Sequence, residues 1–262
     1  MRNNISVINV YKKKSVKSEI VTQLLYGDTF KRLKKFGSWI KIKNNSDIGT
    51  IVIEGARYDY ANSDFIETIQ KIAHDNNVLI VVDEITSGWR LTDGGVYKIN
   101  DLDPDIVVYG KAMGNGYEIS AVLGKNHVMK VVEKKVFISS TFFSNSLAQV
   151  ASLKTIEILE RDQILNVIRK KGEKFSKKVT KIVNESDVNC TFSGAPWMPF
   201  IMFNEESEMI NMKLRLQFYS HLIRAKVLLS PFHHGFFMYQ HTDDDLDYVA
   251  ECIAESLEEI KK

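Results

Sequence analysis

The sequence predicts an α/β fold on a mostly parallel sheet from Thr50 onward, preceded by a small β module. Three observations carry this. Apolar runs of strand length at 50–54, 78–83, 106–110 and 120–124 alternate with stretches whose apolar residues recur at helical spacing. Residues 5–48 instead hold short β-prone runs parted by polar turns such as Gly27-Asp28. The charge changes in the same place. Residues 1–48 carry 11 Lys/Arg against 3 Asp/Glu and the remainder 24 against 30, inside a net charge of only +2.

Taken in order, Thr50-Ile51-Val52-Ile53-Glu54 reads as a strand. Phe65, Ile69, Ile72 and Ala73 then share one helical face, with Ser63 as N-cap and Asn76-Asn77 as the stop. Val78 to Asp83, Ile106 to Gly110 and 120–124 are further strands, followed by helices at about 145–160 and 162–184. The final section expects strands near 190–204 and 226–230. A last helix follows at about 243–261, capped by Thr242 and buried along Leu246, Val249, Ala250, Ile253, Leu257 and Ile260. Two cysteines form neither a disulfide framework nor a metal-ligand spacing, and no apolar stretch reaches membrane-spanning length. A cytoplasmic protein without membrane contact is the expectation.

Chemistry concentrates at two strand ends. Asp83 closes the run Val78-Leu79-Ile80-Val81-Val82, and Lys111 follows Ile106-Val107-Val108-Tyr109-Gly110. If the runs are neighbouring strands, an acid and an amine meet at the carboxyl edge of one sheet, where open α/β sheets bind ligands. A carboxylate beside a lysine suits a pyridoxal-phosphate site: the lysine forms a Schiff base with the aldehyde, and the acid keeps the pyridine nitrogen protonated.

More of the sequence agrees. Asp83-Glu84-Ile85 is followed by Gly88-Trp89-Arg90, Pro104-Asp105-Ile106-Val107, Gly110-Lys111, Gly114-Asn115-Gly116, Ser139-Ser140-Thr141 and a helix from Ser144. In that order these motifs make residues 50–262 resemble the class III pyridoxal-phosphate aminotransferases, especially the glutamate-1-semialdehyde aminomutase-like branch. The resemblance implies an incomplete fold-type-I transferase large domain over 49–165 and an α+β C-terminal small domain over 166–262. It makes Lys111 the Schiff-base lysine and proton shuttle, and Asp83 the partner of the pyridinium nitrogen. Ile85 would pack on the cofactor ring, and Thr141 would reach the phosphate of pyridoxal 5'-phosphate in the partner subunit of a homodimer. A small amino donor and a keto acceptor would be the substrates of an aminotransferase or aminomutase. Two departures stand out: Glu118 replaces a frequent proline, and the family's first half has no counterpart before Thr50. Residues 1–48 instead resemble an incomplete bacterial Src-homology-3-type domain, through 18–28 and Gly37-Ser38-Trp39-Ile40-Lys41-Ile42.

Competing readings are weaker. A non-catalytic remnant or binding module derived from the same fold is the main alternative, and a second polypeptide completing the fold would require an exposed apolar patch. Leu79 to Glu84 resembles the magnesium strand of nucleotide hydrolases, but no phosphate loop accompanies it. His233, His234 and His241 lack further ligands of a familiar metal set, so no metal is expected. The basic run Lys12-Lys13-Lys14 reads as a solvated surface rather than a nucleic-acid contact.

Overall fold

A computed structural model of the chain describes residues 7–11, 20–25, 30–36, 39–44, 49–56, 62–139, 143, 145–193 and 198–261. They fall into two compact units, Met1–Ile51 and Val52–Lys262. In the first, β1 (Val7–Tyr11) pairs antiparallel with β2 (Ile20–Leu25), and β3 (Phe30–Phe36) with β4 (Trp39–Asn44). The sequence also predicts a small aromatic core of Tyr11, Tyr26, Phe36 and Trp39 for this module, and those side chains lie outside the described residues.

From Thr50 onward, β5 (Thr50–Glu54), β6 (Leu79–Asp83), β7 (Ile106–Tyr109) and β8 (Ala121–Gly124) form one sheet in that order. β6 and β7 run parallel, with Asp83 opposite Val108. β8 runs antiparallel to β7, with Ala121 opposite Tyr109, which a mostly parallel sheet accommodates. The connector, residues 110–120, is too short for the crossover a parallel neighbour needs. Asp105 locks the entry to β7: its carboxylate accepts from the Ile80 N–H at 2.9 Å, while its own N–H donates to the Ile80 carbonyl at 2.8 Å.

Helix α1 (Ser63–Asn76) is capped one residue earlier than the expected Ser63. Asn62 fills that position, accepting from the N–H groups of Asp64 and Phe65, and Asn77 ends the helix at φ 53°. Its buried residues are Ile66 and Ala73, whereas Phe65 and Ile72 are exposed, so the predicted face is rotated. α2 (Asn126–Lys135) follows β8, and α3 (Ser146–Arg161) leads to the long α4 (Ile164–Glu185).

The carboxyl-terminal part packs α4, α5 (Glu208–Arg224) and α6 (Asp243–Ile260) with the antiparallel pair β9 (Cys190–Ser193) and β10 (Phe200–Phe203). Phe175, Val179, Phe218, Leu222, Ile253 and Leu257 are central to its core. Phe218 meets Phe203 and Tyr219 edge-on at 5.7 and 5.1 Å between ring centroids. Thr242 caps α6 as expected: its hydroxyl accepts from the Asp245 N–H at 3.1 Å, and the Asp245 carboxylate accepts from the Thr242 N–H at 2.8 Å. The strand expected at 226–230 is absent. Val227 drops into the core and Leu228 is exposed, the alternation of a strand, but the segment pairs with no described strand. Among the described residues no helix is long and apolar enough to cross a membrane.

Candidate active site

Two parallel strands bring the acid and the amine to one edge. β6 ends at Asp83 and β7 at Tyr109, with the Glu84 N–H donating to the Val108 carbonyl at 2.9 Å just beyond. Asp83 Oδ1 accepts from the Ile85 N–H at 2.9 Å, which fixes the carboxylate; its other oxygen has no hydrogen-bond partner among the described residues. Ile85 lies 3.7 Å from where a Cβ on Gly110 would stand, so it covers the start of the lysine turn.

That turn is tightly specified. Gly110 is extended and Lys111 adopts φ 45°, in the left-handed region that side chains other than glycine disfavour. A 3-10 turn, Lys111–Met113, follows, closed by Met113 and Gly114 N–H groups donating to Gly110 and Lys111 carbonyls at 3.1 and 3.0 Å. Gly114 admits no side chain, since a Cβ there would lie 2.3 Å from the Tyr117 carbonyl oxygen. Met113 anchors the turn in a buried cluster with Val107 and Tyr109. The exposed Lys111 side chain reaches back across the edge, and its Nζ donates to Thr86 Oγ1 at 3.0 Å.

Glu84 is a participant sequence reasoning missed. Alternation turns it away from Asp83 and Ile85 into full burial. Its carboxylate accepts from Ser87 Oγ at 2.5 Å and from the Tyr97 N–H at 3.0 Å, tying the ends of the loop after β6 together. Burial raises its pKa above the ordinary 4.5, against the lowering effect of those hydrogen bonds. Tyr109 is also buried, and its pKa is raised by desolvation and by its bond to Tyr97. The only sequence signal for Glu84 was an acid continuing an apolar run. Thr86, the hydroxyl that holds Lys111, gave no signal beyond its nearness to Asp83.

Of the predicted site residues, the structure brings Asp83, Ile85 and Lys111 to one edge, while Thr141 lies outside the described residues. Glu118 is exposed in the connector. His233 Nδ1 approaches the His234 carbonyl at 3.2 Å and His241 Nδ1 the Met238 N–H at 3.2 Å. No group of three or more possible metal ligands occurs among the described residues.

A cavity of about 690 Å³ adjoins the lysine turn. Lys111, Asn115, Trp89, Arg90 and Phe236 are among its lining residues. The Arg90 guanidinium lies 3.9 Å above the Phe236 ring.

An acid and an amine on one parallel-sheet edge, beside an apolar side chain and a left-handed turn, are consistent with part of a fold-type-I pyridoxal-phosphate domain. The chain belongs to the class-III aminotransferase family, whose profile matches residues 25–237. Pyridoxal phosphate is the cofactor of that family. The match begins inside the stretch with the amino-terminal strands. The chain is 46% identical over 225 residues to the 3-aminobutyryl-CoA aminotransferase of Cloacimonas acidaminovorans, covering 84% of this chain and 54% of that protein. It is 28% identical over 205 residues to the glutamate-1-semialdehyde 2,1-aminomutase of Methanobrevibacter smithii, covering 74% and 48%. Among solved structures, the PLP internal aldimine form of FumI from Sphingopyxis sp. MTA144 superposes with a TM-score of 0.75 at 21% identity, covering 82% of this chain and 52% of that one. The β-phenylalanine aminotransferase of Variovorax paradoxus superposes at 0.71 with 19% identity, covering 79% and 51%. The chain thus spans about half the length of the relatives it matches.

Proposed function

We propose that the chain serves pyridoxal-phosphate-dependent amino-group transfer or migration on a small amino or keto substrate, with Lys111 as the covalent attachment point and proton carrier. The observation that carries this reading is the shared edge of β6 and β7, where Lys111 Nζ is held 3.0 Å from Thr86 Oγ1 and one Asp83 oxygen has no partner among the described residues. Those residues fit the ring end of the cofactor. Asp83 would hold the proton of the pyridine nitrogen, Ile85 would cover one ring face, and Thr141 would reach the phosphate across a homodimer. When bound, the cofactor supplies an electron sink for the carbon losing its proton.

The rest falls to the chain. To act as a nucleophile, Lys111 must lose its ammonium proton; to carry a proton, it must take one up again. Thr86 suits both states, because a hydroxyl accepts from an ammonium and donates to a neutral amine. A carboxylate in that place would favour the charged form alone. The fixed turn aims the amine at the edge in either state. Two antiparallel strand pairs support a small β module at the amino terminus, and the family match reaches into it from residue 25. The basic composition of residues 1–48 supports no nucleic-acid role beyond that of a solvated surface, and we place the protein in the cytoplasm.

The test is an absorption titration of the purified chain with pyridoxal phosphate, then borohydride reduction and peptide mapping. A saturable visible band, with the label on Lys111 and lost in Lys111→Ala, is expected. No band, or label scattered over surface lysines, would overturn the reading in favour of a non-catalytic relative of the same fold.

A further inference from the structure

Glu84 does not line the cavity beside Lys111, yet it joins three parts of the chain around it. Its N–H donates to the Val108 carbonyl at 2.9 Å, just before the lysine turn on the neighbouring strand. Its carbonyl accepts from the Gly88 N–H at 2.8 Å, and its carboxylate from Ser87 Oγ and the Tyr97 N–H. The Ser87 carbonyl in turn accepts from the Arg90 and Leu91 N–H groups, each at 3.2 Å, and Leu91 is buried. Gly95 leaves room for this approach, because a Cβ there would lie 2.7 Å from Glu84 Oε1.

Thr86 lies on the turn that these bonds close, between the two residues of the Glu84–Ser87 bond. Its hydroxyl is the one hydrogen-bond partner of Lys111 Nζ among the described residues, at 3.0 Å. The lysine stem is flexible, so without that hydroxyl the amine would sweep the sheet edge. A contact of this kind is only as firm as the bonds that hold the residue making it.

We infer that Glu84 is a positioning residue for Lys111, acting through Thr86: the buried carboxylate sets the turn from which the Thr86 hydroxyl holds the amine. The inference rests on the amino-transfer reading, in which Lys111 is the reacting amine, and adds the residue that keeps that amine aimed before any cofactor arrives. The position requires an acceptor for the Tyr97 N–H and a partner for the Ser87 hydroxyl. A glutamine supplies both; a methionine, with only a weakly accepting sulfur, does not.

The test is the lysine ammonium NMR signal of the isotope-labelled chain without cofactor, whose order parameter reports how firmly each Nζ is held. Lys125, bound to Asp103 and Asp105 at 2.8 and 3.2 Å, is the ordered reference. Lys130, exposed and without a partner among the described residues, is the mobile one. Lys111 should be more ordered than Lys130 in the parent chain and fall to its level in Thr86→Val. Glu84→Met should do the same while Lys125 stays ordered, and Glu84→Gln should leave Lys111 as in the parent. The double variant of Glu84→Met with Thr86→Val should be no worse than Thr86→Val alone, since both act on one contact. If Glu84→Met does not fold, Ser87→Ala removes one of the two carboxylate bonds and should give a partial loss. A parent Lys111 as mobile as Lys130 would overturn the inference, as would full Lys111 order in Glu84→Met or in the Ser87→Ala that replaces it. Loss of order at Lys125 in step with Lys111 would overturn it too, since that marks general loosening. The amino-transfer reading fails separately: Glu84-dependent order at Lys111 in a chain that shows no pyridoxal-phosphate band would sink that reading and leave the positioning standing.

Discussion

Around Phe218, helices α4, α5 and α6 enclose their apolar residues, and Phe218, Val179, Leu222 and Ala250 are wholly removed from water. On α3 the opposite holds. Leu147, Val150 and Leu153, three residues apart and so on one helix face, are 61%, 63% and 70% exposed. Val122 and Leu123 of β8 and Phe137 beyond α2 are exposed as well. Each such side chain left in water forgoes roughly 1.5–3 kcal/mol of burial. One region is closed by its own sequence. The other presents the kind of apolar face a covering surface requires.

The sharpest way to break that contrast is Phe218→Ala, which opens a cavity where nothing can collapse inward. A loss of about 3–5 kcal/mol is expected in urea denaturation. Glu84→Gln comes next and tests the sheet side. Its amide can still accept from the Tyr97 N–H and donate to Ser87 Oγ, so the loop stays tied. For an acid whose folded pKa is raised, the native state binds more protons than the unfolded one above 4.5. Native stability therefore falls as pH rises from about 4.5 to the raised value, and stays level beyond it. Glu84→Gln should lack this decline, so stability measured at pH 4 and pH 8 should differ less in the variant than in the parent chain. Thr242→Ala removes one arm of the α6 capping box and should lower stability by about 1 kcal/mol, read from the same denaturation curves. The smallest effect belongs to the exposed face. Leu153→Ala should shift stability by less than about 0.5 kcal/mol while reducing self-association in light scattering. A large loss there would show that the face is already buried in solution.

The legible parts were those with one dominant signal. Uninterrupted β-branched runs placed β6 and β7, and their ends put Asp83 and Lys111 within one edge before any coordinates. Thr242 and its three following aspartates announced α6. α5 was missed because Met212, Leu214, Leu216 and Phe218 alternate with polar residues, a strand-like period laid over a helix. α1 was placed but rotated, since Ile66 was omitted from the apolar face while Phe65 and Ile72 were included. At the site, the candidate acid and amine were readable because Asp83 and Lys111 follow neighbouring apolar runs within an ordered series of family-like motifs. Thr86, Glu84 and Arg90 were not. Their importance lies in what they touch, and a hydroxyl, an acid and a cation near a turn look ordinary until burial and partners are known.

Lys111 itself carries a last implication through its backbone. At φ 45° glycine would rest comfortably, whereas a residue with a Cβ is disfavoured by about 1–2 kcal/mol. The turn would hold its shape more easily without the amine. A descendant freed from the need for that amine would therefore drift toward glycine at this position. A lysine there works against the local preference of the chain, as Lys226 does at φ 63°.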